Sequence, residues 1–204
     1  AWPHAAFVEA PIEIARRALR QALAAIGGGD YPPRSVRLRR LLDALRPAAG
    51  FTGRTLGGCR ILRCGADMLI CREPAAIAPA SRLEPNVWQD WDRRFAVRWR
   101  AGPDDLTACE LSVRALGADG WRHARNLLSG RTVRLPSAVR IGLPSFWQGE
   151  RLLAVPGLDL SAPLDAGWTF AARFRPRRPL AGPPFIADTA PYRRTAANDT
   201  FASI

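Results

Sequence analysis

Gly53–Glu73, GRTLGGCRILRCGADMLICRE, decides how the rest of the chain is read. Thr55–Cys64 and Met68–Glu73 are short β-like runs, and Gly65-Ala66-Asp67 between them tolerates turn angles, so the stretch is predicted to be a β-hairpin. Gly57-Gly58 stands at the entry to the first run. Two adjacent residues without a Cβ let another backbone or a phosphate approach closely, or they mark a β-bulge or bent corner, the commoner use.

Working back from the hairpin, Ile12, Ala15, Leu19, Ala22 and Ile26 recur at helical spacing, with Pro11 suited to the first turn and Gly27 to the C-terminal cap. Arg16, Arg17 and Arg20 take the other face. A second helix is predicted after Pro32-Pro33, with Ser35 as N-cap, a stripe of Leu38, Leu41, Leu42 and Leu45, and an end before Pro47. Its Arg34, Arg37, Arg39 and Arg40 face only Asp43 nearby. Gly27-Gly28-Gly29 closes a helix where a phosphate loop would open one, so its expected role is a cap.

Working forward, Pro74–Pro85 reads as a connection. Arg94, Ala96, Arg98 and Arg100 alternate with Phe95, Val97 and Trp99, while Glu110, Ser112 and Arg114 alternate with Cys109, Leu111, Val113 and Ala115. Gly102-Pro103-Asp104-Asp105 between them predicts a second hairpin, whose basic face is either solvated or turned toward phosphate. Gly120–Leu128 is weakly helical and carries His123 as a hydrogen-bonding group. Pro136 opens a short helix to Ile141 that Pro144 ends, and Gln148-Gly149-Glu150 turns into the strand Leu152–Val155. Trp168, Phe170, Ala172 and Phe174 form one face of a last strand, after which a poorly ordered tail or extended arm is expected from Arg177.

These elements give an α+β fold: a helical module over residues 1–50, a mixed α/β module with antiparallel hairpins over 51–176, and a tail over 177–204. The chain of 204 residues is long enough to bury a full core. Its net charge of +12 comes from 30 basic residues against 18 acidic ones, and every basic residue is arginine. Such an excess calls for an anionic partner, nucleic acid before a membrane surface. No uncharged run is longer than Ile141–Gly149, too short to span a bilayer, and no leader pattern is seen, so a cytoplasmic protein without a membrane partner is expected. The start at Ala1 instead of methionine suggests a piece of a longer protein.

Catalytic and metal-binding patterns are lacking, so no catalytic, cofactor-binding or metal residue is assigned. Cys59, Cys64, Cys71 and Cys109 form no C-x-x-C pair and, with only His4 and His123 beside them, read as reduced structural thiols. Glu73, Asp90 and Asp92 invite an acid–base reading, but carboxylates near strand ends are more often solvated or paired with neighbouring arginines such as Arg72 and Arg93. Guanidinium groups that clamp phosphates remain, interleaved with Trp88, Trp91 and Trp99, which stack on bases or fill cores.

The strings GRTLGGCRI, LICREP, WDRRF, LGADGW and PSAVRIGLPSFWQGERLLAVPGL, in that order over Gly53–Leu158, resemble the C-terminal part of the tRNA(Ile)-lysidine synthases, especially the alphaproteobacterial form. The resemblance implies a helical substrate-recognition module followed by a mixed α/β module similar to one in phenylalanyl-tRNA synthetase β chains. It implies an enzyme that adenylates an anticodon cytidine with ATP and Mg and then joins lysine to it. The family's Ser-Gly-Gly-x-Asp-Ser loop has no counterpart here, so no ATP-binding residue carries over and no cofactor is expected in this chain. The expected partners are tRNA and the N-terminal catalytic domain, and the sequence does not fix an oligomeric state. The contact candidates are Arg34, Arg37, Arg39, Arg40, Arg60, Arg72, Arg94 and Arg98, acting chiefly on phosphates. The alternative is a structural or regulatory module whose arginines dock an acidic protein or that catalytic domain.

Overall fold

Apolar residues at helical spacing shape the first part of the chain. A computed structural model describes residues 1–31, 33–46, 50–101, 110–163 and 167–180. After β1 (Trp2–Pro3) come α1 (His4–Glu9), α2 (Ile12–Gly27) and α3 (Ser35–Leu45). Ala15, Leu19, Ala22 and Leu23 of α2 are buried, as are all four leucines of the α3 stripe, while Arg16, Arg17 and Arg20 are exposed. Ile12 is a correction: 44% exposed, it sits in a first turn outside the core. Ser35 is another, since Arg34 holds the N-cap position and no side chain caps the helix.

The central stretch forms β2 (Arg54–Leu56), β3 (Cys59–Cys64) and β4 (Asp67–Arg72). Antiparallel pairing of Cys59 with Arg72 and Cys64 with Asp67 makes the expected hairpin. Gly57-Gly58 is neither a bulge nor a bend. With φ of +61° and +73° between the paired Leu56 and Cys59, it is a two-residue turn that splits the predicted first run into two strands. With β1 these strands form a sheet ordered β1-β4-β3-β2. Its Cys59, Ile61 and Met68 share one core with Phe7, Leu19, Leu23 and the α3 leucines. Each such buried side chain contributes about 1.5–3 kcal/mol. The helices thus close over the hairpin in one core that runs across residue 50.

Beyond this unit lie β5 (Ser81–Arg82), β6 (Gln89–Trp91), β7 (Phe95–Arg100), β8 (Leu111–Ala115), α4 (Gly117–Leu127) and α5 (Ser137–Arg140). They are followed by β9 (Pro144–Gln148), β10 (Arg151–Val155), β11 (Leu160–Ser161) and β12 (Thr169–Phe174). A five-stranded sheet ordered β11-β10-β9-β8-β5 faces a three-stranded one ordered β12-β7-β6. Val97 and Trp99 of the smaller sheet meet Leu111, Val113, Phe146 and Leu153 of the larger. On its other side, Trp147, Leu152 and Val155 pack under α4 through Leu116, Ala124 and Leu128. Coverage on both sides is why β9 and β10 are buried almost throughout, without polar alternation.

Three expectations change in this unit. The connection 74–85 contains β5, which pairs with β8. The runs Phe95–Arg100 and Leu111–Ala115 do not pair as a hairpin; each has one apolar face, and in opposite sheets those faces bury each other. The proposed turn 102–105 and Cys109 lie outside the described residues, as does the tail from residue 181. The third change is at Arg177 and Arg178, which are held by Asp30: Arg177 reaches its carboxylate at 3.3 Å and Arg178 its carbonyl. The fold is α+β. Among the described residues, no helix is long and apolar enough to cross a membrane.

The turn explains the glycines around it. A Cβ on Gly27, the last residue of α2, would lie 2.1 Å from the Gly57 carbonyl oxygen. A Cβ on Gly65, by contrast, would meet nothing within 4 Å. Gly27→Ala is therefore expected to cost about 2–3 kcal/mol by overpacking backbone on backbone, against about 1 kcal/mol for the left-handed strain of Gly65→Ala. Urea denaturation of the two variants measures the difference, and equal stability would show that the turn does not seat against α2.

Candidate nucleic-acid interface

The arginines separate by what their guanidinium groups touch. Arg72 leaves the end of β4 and Arg94 follows the β6–β7 turn; both are buried, at 9% and 5% exposure, around Asp92, which is 4% exposed. The Asp92 carboxylate accepts from Arg72 Nη2 at 3.0 Å, from Arg94 Nε at 2.7 Å and from the Ala78 N–H at 2.9 Å. Arg72 also donates to the carbonyls of Gly27 and Ala76, so it satisfies the C-terminal end of α2, where the helix dipole favours a cation. Burial lowers the Arg94 pKa from its ordinary value, and Asp92 opposes that shift. Asp92 and Arg93 hold φ of +52° and +55°, a left-handed backbone that costs non-glycine residues about 1–3 kcal/mol each. The ion pairs on Asp92 and a 2.9 Å contact of Arg93 with Asp30 keep that turn in place.

Arg72 and Arg94 are thus removed from the contact candidates: their charge is spent inside the protein, and exposing either would break the joint between the two cores. Of the arginines expected beside these carboxylates, Arg72 does pair with Asp92, but the second partner is Arg94, while Arg93 goes to Asp30. The one-residue offset reflects the left-handed turn, which sequence patterning does not show.

A second population is paired at the surface, exposed except for half-buried Arg114. Arg16 meets Glu13, Arg82 meets Glu110, Arg114 meets Glu150, and Arg122 meets Asp119. The third population has no carboxylate partner among the described residues, and it contains the remaining candidates. Arg34, Arg37, Arg39 and Arg40 project from α3, away from the buried leucines. Arg34 and Arg37 border a groove with Tyr31, Pro33, Leu56 and Gly57. Half-buried Arg60 borders another with Thr52, Arg54, Thr55 and Leu62. Both grooves flank β2, so the fold brings α3 and the hairpin arginines to one strand and adds Arg54, which the sequence reading missed for want of an apolar alternation around it. Arg98 lies elsewhere, in the three-stranded sheet, with its guanidinium 4.4 Å from the Trp88 ring.

Trp91 and Trp99 are core residues, at 3% exposure each. The thiols divide: Cys59 and Cys71 are buried, whereas Cys64 is exposed at the strand end and is not a core filler. Burial pushes the Cys59 thiol up to about 12, against the pull of Arg72 and Arg94. Exposed His123 stands edge-on to Trp147 at 6.0 Å. No group of three His, Cys, Asp or Glu among the described residues is arranged to hold a metal ion. The glycine triplet closes α2, with Gly27 packed against Gly57, and so does not open a helix as a phosphate loop would.

No family model matches the chain. Over 165 residues, 78% of the chain, it is 38% identical to the tRNA(Ile)-lysidine synthase of Ruegeria pomeroyi. It is 33% identical over 163 residues to that of Caulobacter vibrioides and 28% identical over 158 to that of Anaplasma marginale. The chain is homologous to the tRNA(Ile)-lysidine synthases. It spans 33%, 38% and 34% of the length of these three relatives, which fits a C-terminal region.

Three of the five strings that resemble lysidine synthases meet at the joint: GRTLGGCRI supplies the Gly57-Gly58 turn, LICREP supplies Arg72, and WDRRF supplies Asp92 and Arg94. Their residue types serve one structural task, which is to seat the hairpin on α2 and tie it to the second core. Asp92→Asn leaves two buried guanidinium groups without a counter-charge and is expected to cost about 3–5 kcal/mol. Asp119→Asn, at an exposed pair, is expected to cost less than about 1 kcal/mol. Thermal or chemical denaturation reads both, and similar small losses would show that the joint is not held by charge.

Proposed function

We propose that this chain is the tRNA-binding C-terminal region of a tRNA(Ile)-lysidine synthase and has no catalysis of its own. On this reading, residues outside this sequence carry out the ATP- and Mg-dependent joining of lysine to the anticodon cytidine, in the cytoplasm, and that catalytic domain is the chain's protein partner. The observation that carries the proposal is the 38% identity to the Ruegeria pomeroyi enzyme across 78% of the chain. The unpaired arginines give it a physical basis: a guanidinium fork binds phosphate oxygens bidentately and stays charged throughout the physiological range. The contact residues proposed are Arg34, Arg37, Arg39, Arg40, Arg60 and Arg98. Phosphate contacts position the tRNA and leave its sequence unread.

Filter binding of tRNA across a salt series tests this reading. Affinity should fall with a log–log slope of roughly −0.7 to −0.9 per phosphate neutralised. Arg37→Gln/Arg39→Gln/Arg40→Gln should make that slope shallower by about 2–3. Absence of tRNA binding, or a response flat in salt, would overturn the proposal and favour a protein-docking role.

A further inference from the structure

The three-stranded sheet has two unlike faces. Val97, Trp99, Phe170 and Ala172 enter the core between the sheets. The register places Arg98 beside Ala171, Arg100 beside Thr169 and Arg173 beside Ala96, and strand alternation turns this set to the opposite face. Trp88, just before β6, is half-buried there. The Arg98 and Arg173 guanidinium groups lie 4.4 and 4.7 Å from its ring.

Among the described residues, the arginines of this face have no ion-pair partner. Asp90 shares the face through its pairing with Ala96, yet it forms no ion pair with Arg98, Arg100 or Arg173 among the described residues. Partial burial, then repulsion from Arg100 and Arg173, lowers the Arg98 pKa from its ordinary value. Arg82, Arg114 and Arg122 of the same unit each have a carboxylate; other single arginines of the unit without one are scattered, whereas Arg98, Arg100 and Arg173 share one sheet face. Three mutually repelling cations, two of them against an indole that restricts their planes, form a surface that an external anion would relieve. Stacking on an aromatic face leaves the N–H edges of a guanidinium free to donate, the geometry suited to phosphate oxygens.

We infer that the outer face of β6, β7 and β12, built on Trp88, Arg98, Arg100 and Arg173, is a second RNA-backbone contact surface, separate from the one around α3 and β2. The inference rests on the tRNA-binding reading and extends it. The α3 arginines belong to the helical core and the sheet arginines to the sandwich, and one polyanion gripping both would be fixed relative to both units. RNA is favoured over an acidic protein because the chain carries a net charge of +12 and presents arginines without ion-pair partners among the described residues both on α3 and on this sheet, which a continuous phosphate backbone can span.

The test is fluorescence anisotropy with a labelled tRNA transcript across a salt series, using the full chain. Arg98→Gln/Arg100→Gln/Arg173→Gln should weaken binding about tenfold or more and make the salt slope shallower by roughly 2–3. Arg100→Gln alone, which leaves the indole stack intact, should reduce the slope by about 0.7–0.9 and keeps the test sound if the triple variant does not fold. If the unsubstituted chain binds tRNA and both variants match it in affinity and slope, the second surface is overturned while the tRNA-binding reading stands. If the unsubstituted chain does not bind, both fall. Competition by poly-glutamate as effective as that by unlabelled tRNA would also overturn the RNA assignment.

Discussion

Asp92 is the residue on which the two halves of this protein depend. It is a buried carboxylate between two buried guanidinium groups, and one of them, Arg72, also satisfies the last carbonyl of α2 and holds Ala76. Taking these charges out of water costs several kcal/mol per ion, so such a cluster persists only where its hydrogen bonds are nearly complete. Here that requirement fixes geometry: α2 has to end where the Gly57-Gly58 turn can fit beneath it, and the β6–β7 turn has to adopt a left-handed backbone to present Asp92. A charged joint specifies one arrangement of the two cores more narrowly than apolar contact alone, which tolerates sliding.

The same residue type therefore does two unlike things in this chain. Where arginine is buried or faces a carboxylate, it is part of the fold. Where it stands on α3, beside β2 or on the outer face of the small sheet with no ion-pair partner among the described residues, it adds self-repulsion. An excess of this kind destabilises the free protein and favours a polyanionic ligand. The homology to lysidine synthases makes RNA the polyanion proposed for this charge, and the arginines around α3 and on the small sheet are the residues proposed to hold it.

Much of this was legible in the sequence. The leucine stripe of α3, the amphipathic α2 and the hairpin each rest on local periodicity, and each formed, although Ile12 lies outside the core and the predicted run Thr55–Cys64 is split into two strands. What failed was pairing over distance. Alternation in Phe95–Arg100 and Leu111–Ala115 showed two half-buried strands but not that they would face each other across a sandwich, since either arrangement buries the same side chains. The glycine pair was read as a point of close approach or a bend, and only the fold showed α2 as the backbone that approaches. Arg72 and Arg94 looked like surface cations because alternation does not register a buried counter-ion from another strand. Trp88 was indistinguishable from Trp91 and Trp99 until their burial separated them.

Central to all of this is the division between arginines that hold the fold and arginines proposed to hold RNA. Arginine-selective dicarbonyl labelling, mapped by mass spectrometry with and without tRNA, tests it most directly. If the division is real, tRNA shields Arg37, Arg39, Arg40, Arg98 and Arg173, leaves the carboxylate-paired Arg82 and Arg122 as reactive as before, and makes no difference to Arg72 and Arg94, which stay unlabelled in both states. Equal shielding of paired and unpaired arginines, or labelling of Arg72 and Arg94 in the folded protein, would contradict it.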